Sequence, residues 1–188
     1  MTYLDANGVH TYYEEHGSGD PLFLLHGGLA DADSFGHQTP TLAARYRVIV
    51  PERRGHGRTA DVAGPITYDL MADDTIALMD ALNRGAAHLV GWSDGGNVGL
   101  LVAIKRPDLV RKLVVMGSNF SGAGLLPEAL AAFTPGTATS MVPVLADMWK
   151  ASAVDPDQFD VMLEKMDPAG TTTRSGGRTW PGSQPRRS

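Results

Sequence analysis

The sequence predicts an α/β fold with a mostly parallel sheet and helices on both of its faces. Four short apolar runs lack the polar alternation of a half-solvated strand, which indicates strands buried on both faces: residues 22–25, 48–50, 89–90 and 113–116. Residues 68–82 and 97–105 carry apolar side chains near a 3.6-residue spacing, as amphipathic helices do. Strands that alternate with helices are typical of a parallel sheet.

The beginning of the chain predicts an antiparallel hairpin instead. Asn7-Gly8 lies between residues 2–5 and 9–15, which we predict to be two strands. Asparagine and glycine both tolerate the positive φ of a type I′ turn, so this dipeptide between two strands is a strong hairpin signal.

After residue 120 the pattern changes from strands to helices. Residues 127–133, 141–150 and 156–166 each predict a helix, and we predict no strand among them. We therefore expect a core at 1–120 and a helical excursion from the sheet at 121–167. Three residues of this excursion, Trp149, Met141 and Met148, either line an apolar pocket or pack the excursion against the core.

The last residues, 168–188, differ from the rest in composition. From Ala169 to Ser188 there is no Asp, Glu, Leu, Ile, Val, Met or Phe, and four Arg stand among Thr, Ser, Gly and Pro. Such a segment cannot bury an apolar core, so we expect this tail to be disordered.

Composition also excludes several classes of protein. The net charge of −5 argues against a nucleic acid or an anionic membrane as a partner. The absence of cysteine excludes disulfides and thiolate sites. No apolar run is long enough to cross a bilayer, and the first residues show no signal peptide. We expect a cytoplasmic protein.

The main candidate for chemistry is the segment Gly91-Trp92-Ser93-Asp94-Gly95, which fits the pattern G-x-S-x-G. A serine at a sharp strand-to-helix turn is forced into strained backbone angles, and side chains two residues away would clash, so glycine is needed there. The predicted strand before Ser93 and the predicted helix after it supply this context.

Two further segments accompany that pattern. His26-Gly27-Gly28 directly follows the predicted strand 22–25, and a glycine-rich turn there can present a backbone N–H to an oxyanion. The segment Pro51-Glu52-Arg53-Arg54-Gly55-His56-Gly57-Arg58-Thr59 follows the strand that ends at residue 50.

In order and spacing, these three motifs resemble those of the alpha/beta-hydrolase family, with Glu52 and Thr59 in place of the aspartate and serine of the family pattern. The turn at residues 91–95, which corresponds to the nucleophile elbow of that family, most resembles the elbow of the enol-lactonases and the valacyclovir-hydrolase-like esterases. The resemblance covers residues 1–167 and makes residues 121–167 a partial helical cap of an incomplete alpha/beta-hydrolase fold.

This resemblance implies a serine hydrolase of small carboxylic esters or lactones that uses no cofactor and no metal. Ser93 would be the nucleophile, and the backbone N–H groups of Gly28 and Asp94 would form the oxyanion hole. Gly91 and Gly95 would be the glycines of the elbow. The side chain of Asp94 would have no acid role, because its amide is the useful part.

The acid and the base of the family are missing from this sequence. In this fold the catalytic order along the chain is serine, then acid, then histidine. All six histidines precede Ser93, so we assign no acid and no base and expect the chain as given to be inactive. His26 and His56 lie in loops near the predicted site, but we expect both to bond loop backbone.

A non-catalytic alternative therefore stays open. A pseudohydrolase that binds a small molecule in an apolar pocket would need no base. The serine, the elbow glycines and the oxyanion turn favour the enzyme, since a binding protein needs none of them.

We predict that the tail is an out-of-frame translation of GC-rich DNA, which enriches Arg, Gly, Pro, Ser and Thr. Residues 178–188 can be encoded so that the same bases, regrouped from the third, give Asp-Leu-Ala-Arg-Ile-Ala-Ala-Pro-Thr-Leu. That peptide resembles the segment that leads into the acid-bearing strand of the family. Sequencing of the locus should show the alternative frame continuing to an acid and a histidine. An early stop in that frame would contradict the prediction and favour the pseudohydrolase.

Overall fold

The computed structural model describes residues 2–119 and 143–166, and a six-stranded sheet lies at its centre. The strands are β1 (Thr2–Ala6), β2 (Val9–His16), β3 (Asp20–Leu25), β4 (Tyr46–Pro51), β5 (Ala87–Trp92) and β6 (Val110–Met116). Their order across the sheet is β1-β2-β4-β3-β5-β6. The pairs β1–β2 and β2–β4 are antiparallel, and the three pairs among β4, β3, β5 and β6 are parallel. The predicted mostly parallel sheet is therefore confirmed.

The predicted hairpin is also confirmed. Asn7 and Gly8 connect β1 to β2 with φ values of 50° and 73°, the positive range that a type I′ turn requires. Ala6 pairs with Val9 directly across this turn.

Five α-helices lie within the described residues: α1 (Thr39–Ala43), α2 (Tyr68–Leu82), α3 (Asp94–Lys105), α4 (Pro143–Ser152) and α5 (Phe159–Lys165). Short 3₁₀ turns cover Ala32–Phe35, Pro107–Leu109 and Pro156–Gln158. The helix predicted at 97–105 begins three residues earlier, and the one predicted at 156–166 is a 3₁₀ turn followed by α5. The predicted helix 127–133 and the tail 168–188 lie outside the described residues.

Alternating side chains of the inner strands bury the two faces of the sheet in separate apolar clusters. One cluster joins β3 and β4 to the first 3₁₀ turn through Leu22, Leu24, Val48, Val50, Ala32 and Phe35. The other joins the same strands and β5 to α2 and α3 through Phe23, Leu25, Ile49, Leu89, Met71, Leu78, Val98 and Leu101. Helical segments thus cover both faces, as the sequence predicts.

The strand β6 lies at one edge of the sheet. Among the described residues its only strand partner is β5. Val114, Val115 and Met116 are 50%, 39% and 43% exposed. An apolar edge strand with unpaired backbone groups is a template for association with another chain.

We predict that the chain expressed alone associates through β6 and is poorly soluble. Val114→Lys should raise the monomeric fraction, because a lysine on an edge strand opposes strand pairing. Size-exclusion chromatography with light scattering measures this fraction. The matched control is Val144→Lys, which changes an exposed valine on α4 instead (68% exposed). A monodisperse wild-type monomer, or an equal gain in the control, would contradict the prediction.

Candidate active site

Ser93 occupies the sharp turn between β5 and α3. Its backbone angles are φ 53° and ψ −121°, a region that a residue with a side chain rarely adopts and that costs about 1–3 kcal/mol. The Ser93 N–H donates to the Met116 carbonyl over 2.8 Å, and the Ser93 carbonyl accepts from the Ser118 hydroxyl over 2.6 Å. The end of β6 therefore holds the strained turn in place.

Glycine is required on both sides of Ser93 because the backbone is crowded there. A Cβ at Gly91 would overlap the Gly95 carbonyl, and a Cβ at Gly95 would overlap the carbonyl oxygens of Leu25 and His26. The turn after β3 and the turn after β5 are thus in direct backbone contact. No larger residue fits at either glycine without moving one of the two turns.

The same contact brings Gly28 beside Asp94. A Cβ at Gly28 would overlap the Asp94 carboxylate, so the two residues predicted as oxyanion donors are neighbours. Within residues 2–119 and 143–166, neither backbone N–H donates a hydrogen bond. Asp94 is also the first residue of α3, where the helix dipole favours negative charge.

A buried arginine lies beneath the turn after β3. Arg53 is 4% exposed and donates from Nη1 to the His26 carbonyl over 2.6 Å and from Nη2 to the Gly27 carbonyl over 2.8 Å. Burial lowers the pKa of Arg53 to about 10, although Asp94 and Tyr68 act in the opposite direction. The guanidinium stays charged at neutral pH and faces two successive carbonyls.

The two loop histidines bond backbone, as expected. The Arg53 N–H donates to His26 Nε2 over 3.2 Å, so His26 carries its proton on Nδ1, which lies 2.8 Å from the Gly27 carbonyl. His56 Nδ1 lies 2.9 Å from the Arg54 carbonyl. Burial, and then the charge of Arg53, lowers the pKa of His26 well below its usual range and that of His56 to about 3. Both imidazoles are therefore neutral.

The carboxylate of Asp94 is occupied by Tyr68. The Tyr68 hydroxyl donates to Asp94 Oδ1 over 2.7 Å, and burial together with the Asp94 charge raises the pKa of Tyr68. The sequence motifs predict no role for Tyr68 or Arg53. Arg53 lies within the motif 51–59, which predicts a loop near the site but no contact of this arginine. Tyr68 lies at the predicted start of a helix, and no sequence motif there predicts its bond to Asp94.

Among the described residues none accepts a hydrogen bond from the Ser93 hydroxyl, and His26 and His56 bond backbone groups instead. The same residues contain no group of three or more His, Cys, Asp or Glu that could hold a metal ion. No helix in that part of the chain is long and apolar enough to cross a membrane.

Helices α4 and α5, which lie in the segment predicted to be a cap, dock on the loop that carries Arg53. The buried Trp149 of α4 donates from Nε1 to the Gly55 carbonyl over 2.9 Å, and its ring lies 5.4 Å from that of Phe159. Trp149 therefore packs α4 against the core, whereas Met148 is 44% exposed and Met141 lies outside the described residues.

Comparisons with known proteins agree with this architecture. The family profile described as alpha/beta hydrolase fold matches residues 20–151. A 2-hydroxy-6-oxo-6-(2'-aminophenyl)hexa-2,4-dienoic acid hydrolase of Metapseudomonas resinovorans is 40% identical over 130 residues, which are 67% of this chain and 43% of the relative. A 2-hydroxymuconate semialdehyde hydrolase of Pseudomonas sp. strain CF600 is 38% identical over 119 residues, 60% of this chain and 41% of the relative.

A solved structure is similar over most of the chain. The structure described as Est816, an N-acyl homoserine lactone degrading enzyme, matches with a TM-score of 0.72 and 27% identity, over 90% of this chain and 74% of that one. By contrast, the chain spans less than half the length of the two hydrolases named above, 43% of one and 41% of the other.

We predict that the two buried histidines make the folded chain sensitive to acid. Below about pH 6.5 the unfolded chain binds protons that folded His26 and His56 do not. The stability that these two neutral histidines contribute is therefore fully present above that pH and is lost as the pH falls, for His56 down to about pH 3. Each such histidine contributes a slope of about 1.4 kcal/mol per pH unit. His56→Gln should remove one slope of this size in urea unfolding between pH 4.5 and 6.

The control for this measurement is His37→Gln, which removes an exposed imidazole from the same chain. An equal change of slope in the two variants would contradict the assignment of the acid sensitivity to the buried site.

Proposed function

The chain belongs to the alpha/beta-hydrolase family, and from that premise we propose that Ser93 is the nucleophile of a serine hydrolase of small carboxylic esters or lactones. The observation that carries the proposal is the strained backbone of Ser93, with φ 53°, beside two N–H groups that are free of partners among the described residues. Strain of this kind persists where the surrounding structure enforces it, and it concentrates at active sites.

The proposed reaction follows from these groups. The Ser93 Oγ gives its proton to a general base and forms a bond to the carbonyl carbon while the carbonyl electron pair moves to oxygen. The N–H groups of Gly28 and Asp94 donate to that oxyanion, and the base later returns the proton to the leaving group. When the oxyanion collapses, the bond to the alkoxy oxygen breaks and the leaving group takes a proton. Water then hydrolyses the acyl-Ser93 ester and releases the acid.

The substrate class rests on the nucleophile and on the relatives. A serine at position 93 suits acyl transfer, whereas the dehalogenase and epoxide-hydrolase branches use a carboxylate at this position. One similar solved structure is described as a lactone-degrading enzyme. An ester and a lactone present the same carbonyl carbon and alkoxy oxygen to Ser93.

The base is the part of this mechanism that the described residues do not supply. A serine hydroxyl is a weak nucleophile until a base takes its proton. No histidine follows Ser93 in the 188 residues, and His26 and His56 are turned to backbone carbonyls. We therefore propose that the chain as given accelerates ester hydrolysis only through its oxyanion donors.

The missing base favours a second candidate function, a pseudohydrolase that binds a small molecule and does not turn it over. The backbone of Ser93 argues against it. A binding site gains nothing from a hydroxyl held at φ 53° between two crowded glycines, so the hydrolase is the better account.

We predict that the chain as given hydrolyses p-nitrophenyl acetate slowly, at up to about 10³–10⁴ times the rate in water, as sites without a triad do. The reaction should show no burst and should be unchanged in Ser93→Ala, and a fluorophosphonate probe should not label the chain. Stopped-flow kinetics and mass spectrometry measure these quantities. A burst that vanishes in Ser93→Ala would mean that the chain contains a base. No acceleration over buffer would favour the pseudohydrolase.

A further inference from the structure

We infer that Arg53 is a positioning residue that holds the Gly27–Gly28 peptide so that its N–H points into the oxyanion site. The inference deepens the proposed function and rests on it for the role of Gly28. It is carried by the contacts of the guanidinium, which donates to the carbonyls of His26 and Gly27 over 2.6 Å and 2.8 Å.

The geometry of a peptide unit connects these contacts to Gly28. In a trans peptide the C=O and the N–H point in opposite directions. Because Arg53 holds the Gly27 carbonyl on its own side, the Gly28 N–H faces away from the buried arginine. That N–H donates to none of the described residues and is left available for an oxyanion.

This peptide needs an external anchor because a glycine lies on each side of it. Without a Cβ, both residues accept positive and negative φ about equally well, so the peptide plane between them can turn over at little cost. A larger residue at Gly28 would overlap the Asp94 carboxylate. Because this crowding requires glycine at position 28, the orientation of the Gly28 N–H depends on the groups that bond the Gly27 carbonyl.

Arg53 holds that carbonyl in two ways. Its Nη2 donates directly, and its backbone N–H donates to His26 Nε2. The second bond fixes the proton of His26 on Nδ1, which lies 2.8 Å from the same carbonyl. Both donors of the Gly27 carbonyl thus depend on Arg53.

The positive charge of Arg53 also favours an oxyanion at Gly28. The Asp94 carboxylate lies against Gly28 and would oppose an oxyanion there. Arg53 is buried and makes no ion pair within the described residues, so its charge is free to offset that of Asp94. Donors that polarise a peptide carbonyl also strengthen the hydrogen bond that its N–H makes.

The test compares Arg53→Gln and Arg53→Lys with Arg54→Gln in the full chain. Arg54 is the matched control, because it is a buried arginine of the same loop that bonds Asp74 and not the turn. Hydrolysis of p-nitrophenyl acetate should fall about 10²-fold in kcat for Arg53→Gln, with KM unchanged, as for loss of one oxyanion donor. Arg53→Lys should recover part of the loss, and Arg54→Gln should keep the wild-type kcat whatever its stability.

A second measurement does not depend on turnover. In ¹⁵N-labelled chain, the Gly28 amide should give one sharp signal in wild type and in Arg54→Gln, and an exchange-broadened signal in Arg53→Gln. The Asp94 amide should stay sharp in all three. Thermal melts confirm that each variant is folded.

The outcomes separate the two proposals. A folded Arg53→Gln with unchanged kcat and a sharp Gly28 signal would overturn the role of Arg53, as would an equal loss of kcat in Arg54→Gln. If the wild type shows no acceleration over buffer, the proposed function fails, and the Gly28 signal alone then decides whether Arg53 positions the peptide.

Discussion

The strained backbone of Ser93 is the constraint on which the rest of this structure depends. At φ 53° the residue costs about 1–3 kcal/mol, and the Gly96 N–H holds its carbonyl from within the turn. The N–H bond to Met116 and the Ser118 hydroxyl supply the restraint from the end of β6. The backbone of β3 presses on Gly95 from the other side. The turn therefore requires three parallel strands and α3 together.

The polar groups under the turn follow from the same crowding. Packing the turn after β3 against the turn after β5 leaves the carbonyls of His26 and Gly27 away from water, where an unpaired carbonyl is costly. A buried guanidinium satisfies both, at the cost of its own burial, which lowers its pKa to about 10. Neutral His26 and His56 add donors without adding a second buried charge.

The sequence predicts the parts of this arrangement that local patterns determine. Helix α2 matches its prediction at both ends, since Thr67 caps its first turn and Asn83 ends it in the left-handed conformation. The predicted start of α3 is three residues too late, because Gly95 and Gly96 have low helix propensity whereas the turn at Ser93 begins the helix at Asp94. The roles of Arg53 and Tyr68 depend on contacts across the sheet, which no local spacing records.

The contacts of His26 also explain why a loop histidine cannot replace the missing base. To accept a proton from Ser93, His26 would have to present an unprotonated nitrogen to the hydroxyl. Its Nε2 accepts the Arg53 N–H, and its Nδ1 lies on the Gly27 carbonyl. Turning the ring toward Ser93 would remove one of the two donors to that carbonyl and leave the Arg53 N–H without its acceptor. The imidazole of His26 therefore cannot act on Ser93 without giving up the hydrogen bonds that it makes in the turn after β3.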